Sequence, residues 1–230
     1  MEWSRHYNQT HFFHVNRCQP ETFDAILAKI IHHPIFHNKS NTPQTPVEHQ
    51  LSIFLNRLGH YGNGSTAADI ADWAGYSVGN VVNSTKHYMI AILSLHDQVI
   101  GPANQEEKDA AKAWVEHQVC AEWRNGCLAV DGTNFRLFQK PSHYGETFFD
   151  RKSNYSLNSQ ITILPHNLKI VDYGLGYTGS THDSSAFQDT LMSHDHEAFL
   201  EKDEWMWADS AYPITPWCVA PFRHQVVASL

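Results

Sequence analysis

Three short stretches place an aspartate directly after an apolar or glycine-rich run: Val130-Asp131-Gly132-Thr133, Gly179-Ser180-Thr181-His182-Asp183-Ser184 and Ala208-Asp209-Ser210-Ala211-Tyr212-Pro213. Cys127 to Val130, bounded by turn formers, reads as a short buried strand, so a carboxylate at its mouth is expected to be partly desolvated and in need of a cation or hydrogen bonds. Gly132 would let the chain leave the sheet edge sharply, with Thr133 hydrogen-bonding nearby. One such Asp-Gly or Asp-Ser alone is a turn former. The three aspartates stand 52 and 26 residues apart, separations that central strands of one sheet can close. Two carboxylates about 4 Å apart repel by about 4 kcal/mol at an effective dielectric near 20, and without a cation one would take up a proton. Hard divalent ions such as Mg²⁺ or Mn²⁺ prefer carboxylate oxygens, and a pair of them suits phosphodiester cleavage. Three acids placed alike therefore predict a metal site of Asp131, Asp183 and Asp209.

The elements that must position these acids differ along the chain. Up to about Gln118 the pattern is helical: Glu21–Ile31 and Val47–Leu58 carry apolar residues at helical spacing, Pro34 ends the first, and His37–Pro46 is a polar linker. Gln105–Glu122 opens with acids and carries an apolar stripe. Beyond it, residues 155–164 alternate as a strand with Leu157, Ile161 and Ile163 on one face. Pro165-His166-Asn167 turns the chain, and 168–174 returns antiparallel. Residues 182–193 read as one short helix capped near Ser180 or Thr181, and 204–208 as a short strand ending on Asp209. This predicts a helical region over 1–118 and a mixed α/β domain over 119–230.

Within 66–87 the pattern is that of a helix-turn-helix: Ala71 is small enough for a helix crossing, Gly75 suits the turn, and Val78 and Val81 should face the first helix. Asn80, Asn83, Ser84 and Lys86 would then be exposed toward phosphates or base edges. A plain helical hairpin fits the same pattern. The net charge of −8 and pI near 6.1 exclude a protein that coats nucleic acid through bulk charge, so any DNA contact must be local. The four cysteines form no CxxC pair, and the histidines at 32, 33 and 37 lack ligand spacing. No run approaches the roughly 20 apolar residues of a membrane span, and the N-terminus lacks a secretory layout. A soluble, intracellular chain is expected.

The motifs VDGT at 130–133, Arg151-Lys152 before the strand at 155–164, GSTHDS at 179–184 and DSAYP at 209–213, followed by Pro216-Trp217 and Pro221-Phe222, occur in the order found in the DDE endonuclease domain of PIF/Harbinger-type transposases. The sequence resembles that family over most of Asp131 to Phe222. The resemblance implies an RNase H-like mixed sheet with flanking helices, preceded by the helical region, and a site holding Mg²⁺ or Mn²⁺ that cuts and rejoins DNA. It implies Asp131 and Asp209 as catalytic acids and metal ligands, and Asp183 as an additional metal ligand. The family's final Glu stands a few dozen residues beyond DSxYP, whereas no Asp or Glu follows Asp209 before Leu230. The domain is accordingly read as incomplete at its C-terminus, with ion binding expected to exceed turnover.

Arg151 and Lys152 either touch a DNA phosphate or the metal-site carboxylates, or form a solvated pair at a strand start. His182 is a candidate proton carrier or a loop hydrogen-bonder. DNA is the expected partner, with an accessory DNA-binding protein and a homo-oligomer as further possibilities and no membrane. The nucleus, otherwise the cytoplasm, is the expected location. The rival reading is a catalytically inactive, domesticated DNA-binding or protein-interaction module. A phosphohydrolase of small substrates is a third.

Overall fold

The computed structural model describes residues 9–38, 41–60 and 64–221. Lys39 and Ser40 of the expected linker and Phe222 of the motif series lie outside them. The chain divides into two units, 1–97 and 98–230.

The first unit is helical: α1 (Gln9–Asn16), α2 (Pro20–Ile30), α3 (Val47–Leu58), α4 (Ala67–Ala74) and α5 (Val78–Leu93), with a single turn, α6 (His96–Val99), at its end. Local chemistry sets the α4–α5 corner. Thr66 accepts the Asp69 amide while Asp69 takes the Thr66 amide, both at 3.2 Å, a reciprocal cap on α4. Gly75 ends α4 at φ 70°, where a side chain would be strained, and Ser77 caps α5 by accepting the Asn80 amide at 3.2 Å. Ala71 and Val81 are buried together with Ile53, Ile70 and Ala74. Val78, expected to face α4, is instead 48% exposed. As the first residue after the cap it sits where α5 has not yet passed over its neighbour. A second cluster joins Phe12, Phe23, Leu51, Phe54 and Tyr88.

The second unit contains α7 (Gln105–Gln118), β1 (Gly126–Arg136), β2 (Ser156–Ile163), β3 (Ile170–Thr178), α8 (Asp183–Phe187), α9 (Leu191–His194), β4 (Trp205–Trp207) and β5 (Cys218–Val219). α7, grouped by its sequence with the helical region, belongs here because Ala111 and Val115 bury their stripe, Ala111 in one core with Cys127 and Leu128 of β1. The strands form one mixed sheet in the order β3-β2-β1-β4-β5, with β1 antiparallel to β2, β2 antiparallel to β3, and β4 parallel to both β1 and β5. The helix expected over 182–193 is broken, because Thr190 starts a new one by accepting the Ser193 amide while Asp172 of β3 takes the Met192 amide at 2.9 Å. All four cysteines are free thiols. Among the described residues no helix is long and apolar enough to cross a membrane.

The segment leading into β4 is pinned to α7 by a buried carboxylate. Glu204 accepts from Lys108 at 3.0 Å and from the Glu201 amide at 2.8 Å, and Lys112 stands 2.5 Å from its other oxygen as an ion pair without hydrogen-bond alignment. Burial opposes the charge on Glu204, but the Glu201 amide and the two ammonium groups outweigh it and hold the carboxyl below the ordinary glutamate range. A depressed carboxyl contributes stability that is present above the unfolded value, about 4.3, and is lost as pH falls through the folded one. Glu204→Gln leaves two buried ammonium groups without a counter-charge. Urea unfolding at pH 7 should show a loss of about 3 kcal/mol. The difference from the parent protein should shrink as pH falls below about 4.

Candidate functional site

β1 does not stop at Asp131. It runs on to Arg136, pairing Gly132 with Gln160 and Arg136 with Ser156 of β2, so the expected sharp exit at Gly132 is corrected. Ladder bonds to β2 hold the strand straight past the acid. The glycine serves a different purpose: a Cβ on residue 132 would lie 2.2 Å from Oδ1 of Asp183, so only a bare backbone admits that carboxylate against β1. Asp131 and Asp209 are brought together by register. Ala129 pairs with Trp207 in the parallel β1–β4 ladder, and each aspartate lies two residues further on along adjacent chains. Both are exposed rather than partly desolvated: Asp131 meets solvent from within β1, and Asp209 lies two residues past the end of β4.

The three carboxylates line one cleft of about 490 Å³, with Asn134, Asn158, Arg151 and Lys152 among its other walls. Asp131 accepts its own neighbour's amide, that of Gly132, at 2.8 Å, and Asp209 accepts that of Ala211 at 2.7 Å. One oxygen of each is thus taken by a nearby backbone amide, and the other accepts no hydrogen bond among the described residues. Asp183 is held by neutral donors: Oδ1 accepts from Asn158 at 3.0 Å and from Gln160 at 3.1 Å. Gln160 also donates to Asn158 at 3.0 Å and accepts a short hydrogen bond from the Tyr212 hydroxyl. The Tyr212 hydroxyl is pushed well above its ordinary pKa, first by burial and then by the negative charges of Asp183, Asp131 and Asp209. One buried phenol therefore feels all three acids.

A second hub carries the cations. Asp150, buried on the cleft wall, accepts from the Lys152 and Asn154 amides at 2.8 and 2.9 Å and from the Ser156 hydroxyl at 2.8 Å. The Asn154 amide is the largest of the influences that hold its carboxyl below the usual range, outweighing the opposing effect of desolvation. This folds residues 150–154 into a tight loop presenting Arg151 and Lys152. Arg151 donates to Nδ1 of His182 at 2.7 Å, so that nitrogen acts as an acceptor. Asp150, Asn158, Gln160 and the role of Tyr212 escape motif reading. The one signal in sequence was a pair of amides, Asn158 and Gln160, two apart on the polar positions of an alternating strand.

The chemistry of the donor set, carboxylate oxygens from three segments, fits a hard divalent ion. In the arrangement described, no group of three His, Cys, Asp or Glu side chains among the described residues is placed to hold a metal ion. In the first unit, Asn83 and Lys86 are exposed on α5, but two expectations fail: Ser84 is buried, and Asn80 is occupied internally, donating to Thr45 at 2.6 Å and accepting from Ser84 at 3.2 Å. Both residues lie on the side of α5 that meets the rest of its unit. Tyr212→Phe keeps the ring but strands the buried carbonyl of Gln160 without its donor. Thermal unfolding should report a loss of about 1–3 kcal/mol, with far-ultraviolet circular dichroism unchanged.

Residues 130–228 match the family described as DDE superfamily endonuclease. The human protein named "Putative nuclease HARBI1" is 22% identical over 199 residues, covering 86% of this chain and 54% of that protein. The chain thus spans about half the length of that relative. No solved structure matches. The cleft lined by Asp131, Asp183 and Asp209 falls within the matched segment: over residues 130–228 the chain is similar to the DDE superfamily endonuclease domain.

Proposed function

We propose that the second unit is an RNase H-like, transposase-derived nuclease that depends on Mg²⁺ or Mn²⁺ and acts on DNA phosphodiester bonds. The observation that carries this reading is the meeting of Asp131, Asp183 and Asp209 with Arg151 and Lys152 around one cleft. The strand order, with β1 central and parallel to β4, supports the fold assignment. Asp131 and Asp209 are the residues to hold the ion, each through the oxygen that its backbone-amide contact leaves over, with Asp183 as an additional ligand fixed by Asn158 and Gln160. Such an ion, when bound, supplies positive charge that polarises a phosphoryl oxygen and acidifies an attacking water. Arg151 and Lys152 neutralise the incoming phosphates, and His182 orients the Arg151 guanidinium.

In the helical unit, α4 and α5 act as a helix-turn-helix, with Asn83 and Lys86 meeting DNA and Asn80 confined to holding the α5 start in place. Action on genomic DNA would place the chain in the nucleus. A second reading, an inactive DNA-binding or interaction module, is favoured by the lack of a ready three-acid group among the described residues.

Nicking of supercoiled DNA with Mn²⁺ separates the two readings. The enzyme reading expects nicking that falls to background in Asp131→Ala and Asp209→Ala and by roughly 10–100-fold in Asp183→Asn. Nicking indifferent to the first two substitutions rules out this site, and no nicking with intact duplex binding supports the inactive module. Lys86→Ala should weaken duplex binding equally across sequences and flatten its salt dependence by about one unit, measured by titration at several salt concentrations.

A further inference from the structure

The connection from β1 to β2 has a composition unlike the rest of the chain. Residues 137–155 hold three basic and two acidic side chains, in a protein whose net charge is −8, together with five aromatic ones. Several of those rings are turned outward: Tyr144 is 86% exposed, on left-handed backbone at φ 49°, and Phe149 is 44% exposed. They form a connected surface. Phe149 and Tyr155 face each other with centroids 5.3 Å apart across a bridge that closes the 150–154 loop, and the Lys140 ammonium lies 5.7 Å from the Tyr155 ring centre. Lys140 also packs on Gly145, beside Tyr144, so closely that a Cβ there would lie 2.6 Å from its chain.

This surface is tied to both sides of the cleft. The 150–154 loop that Phe149 and Tyr155 bracket carries Arg151 and Lys152 on the cleft wall. The Ser180 amide, in the loop leading to Asp183, donates to the Thr147 carbonyl at 3.1 Å, and a Cβ on Gly179 would meet the Phe148 carbonyl at 2.5 Å. A strand whose phosphate sits against Arg151 and Lys152 would have its next bases beside Phe149 and Tyr144. Exposed rings alternating with cations suit unpaired bases, whose faces are available, and not a duplex, whose faces are stacked away.

We propose that the β1–β2 connection is a stacking platform for single-stranded DNA at the mouth of the cleft, with Tyr144 and Phe149 receiving bases and Arg151 and Lys152 the backbone. It rests on the reading of the cleft as a DNA site but not on cleavage. Its consequence is a preference for DNA with an unpaired segment next to the phosphate in the cleft.

The test is fluorescence anisotropy of the full chain with labelled oligothymidylate of about 15 nucleotides and with a duplex of equal length, in EDTA so that cutting plays no part. Tyr144→Ala should weaken single-strand binding about five- to hundredfold, Tyr144→Phe should restore it, and duplex affinity should hold. Phe149→Leu, which keeps apolar volume in this half-buried position, should reproduce the loss. Single-strand affinity unchanged in both Tyr144→Ala and Phe149→Leu overturns the platform, as does an equal loss on both DNA forms. A ring-dependent single-strand affinity in a chain that never nicks would keep the platform and reject the nuclease. Nicking with no ring dependence would do the reverse.

Discussion

The close approach of Asp183 to the backbone of Gly132 is the constraint on which the cleft depends. A sheet face is crowded by the Cβ of each residue, and a carboxylate arriving from the β3–α8 connection would ordinarily be kept an atom's width away. Removing one Cβ lets Asp183 lie against β1 one residue past Asp131. The parallel register of β1 and β4 then brings Asp209 to the same level as Asp131. Adjacent strands are about 4.8 Å apart, so these two acids are neighbours by sheet geometry alone, and only the third requires a special residue.

Holding Asp183 in place while leaving it open to a cation sets a second requirement. Asp183 is held by the amides of Asn158 and Gln160, and Gln160 is oriented in turn by Tyr212. Neutral donors fix a carboxylate without neutralising it, whereas an arginine or lysine in the same place would satisfy the charge and compete with an incoming cation. The contrast with Glu204 is instructive. There two lysines and a backbone amide saturate a buried carboxylate, giving an inert pin between α7 and the segment before β4. The same residue chemistry thus takes two roles, set by whether its partners carry charge.

Much of the fold was legible in sequence and the reasons it was not complete are local. Helical spacing located α2, α3 and α7, and alternation located β2 with Leu157, Ile161 and Ile163 on a common face. That face is only half-buried, however. The fully buried positions are the alternate ones, Ser156, Asn158, Gln160 and Thr162, which an apolar-in rule assigns to solvent. Ser156 is inside because it supports Asp150, and Asn158 and Gln160 because they support Asp183, 25 and 23 residues away in the chain. The acids could be read from motifs because each is embedded in a short run of apolar or small polar residues that is visible in the sequence itself. Asp150 could not, since its partners are backbone amides that any residue supplies. Asn80 failed for the opposite reason: its side chain looked available, but its partner, Thr45, lies in a linker with no periodic signal.

An acidic chain that binds DNA must solve a problem of distance. At physiological salt, charges are screened over about 8 Å, so the net −8 of the whole molecule is felt weakly at a cation that touches phosphate directly. What matters is the charge within that radius, where Arg151 and Lys152 share the cleft with Asp131, Asp183 and Asp209, so the bound cation and the two basic side chains together must supply the attraction. At the cleft, Arg151 and Lys152 project from a loop whose own acid, Asp150, is turned inward and spent on backbone amides. Its charge is thereby spread over buried hydrogen bonds and does not face the approaching strand. Few phosphates can be engaged in this way, which limits the affinity available from charge. Aromatic surface beside the cations adds attraction that salt does not screen, and it does so only for bases that are unpaired. Selectivity for DNA form then follows from where the rings sit, without a basic surface.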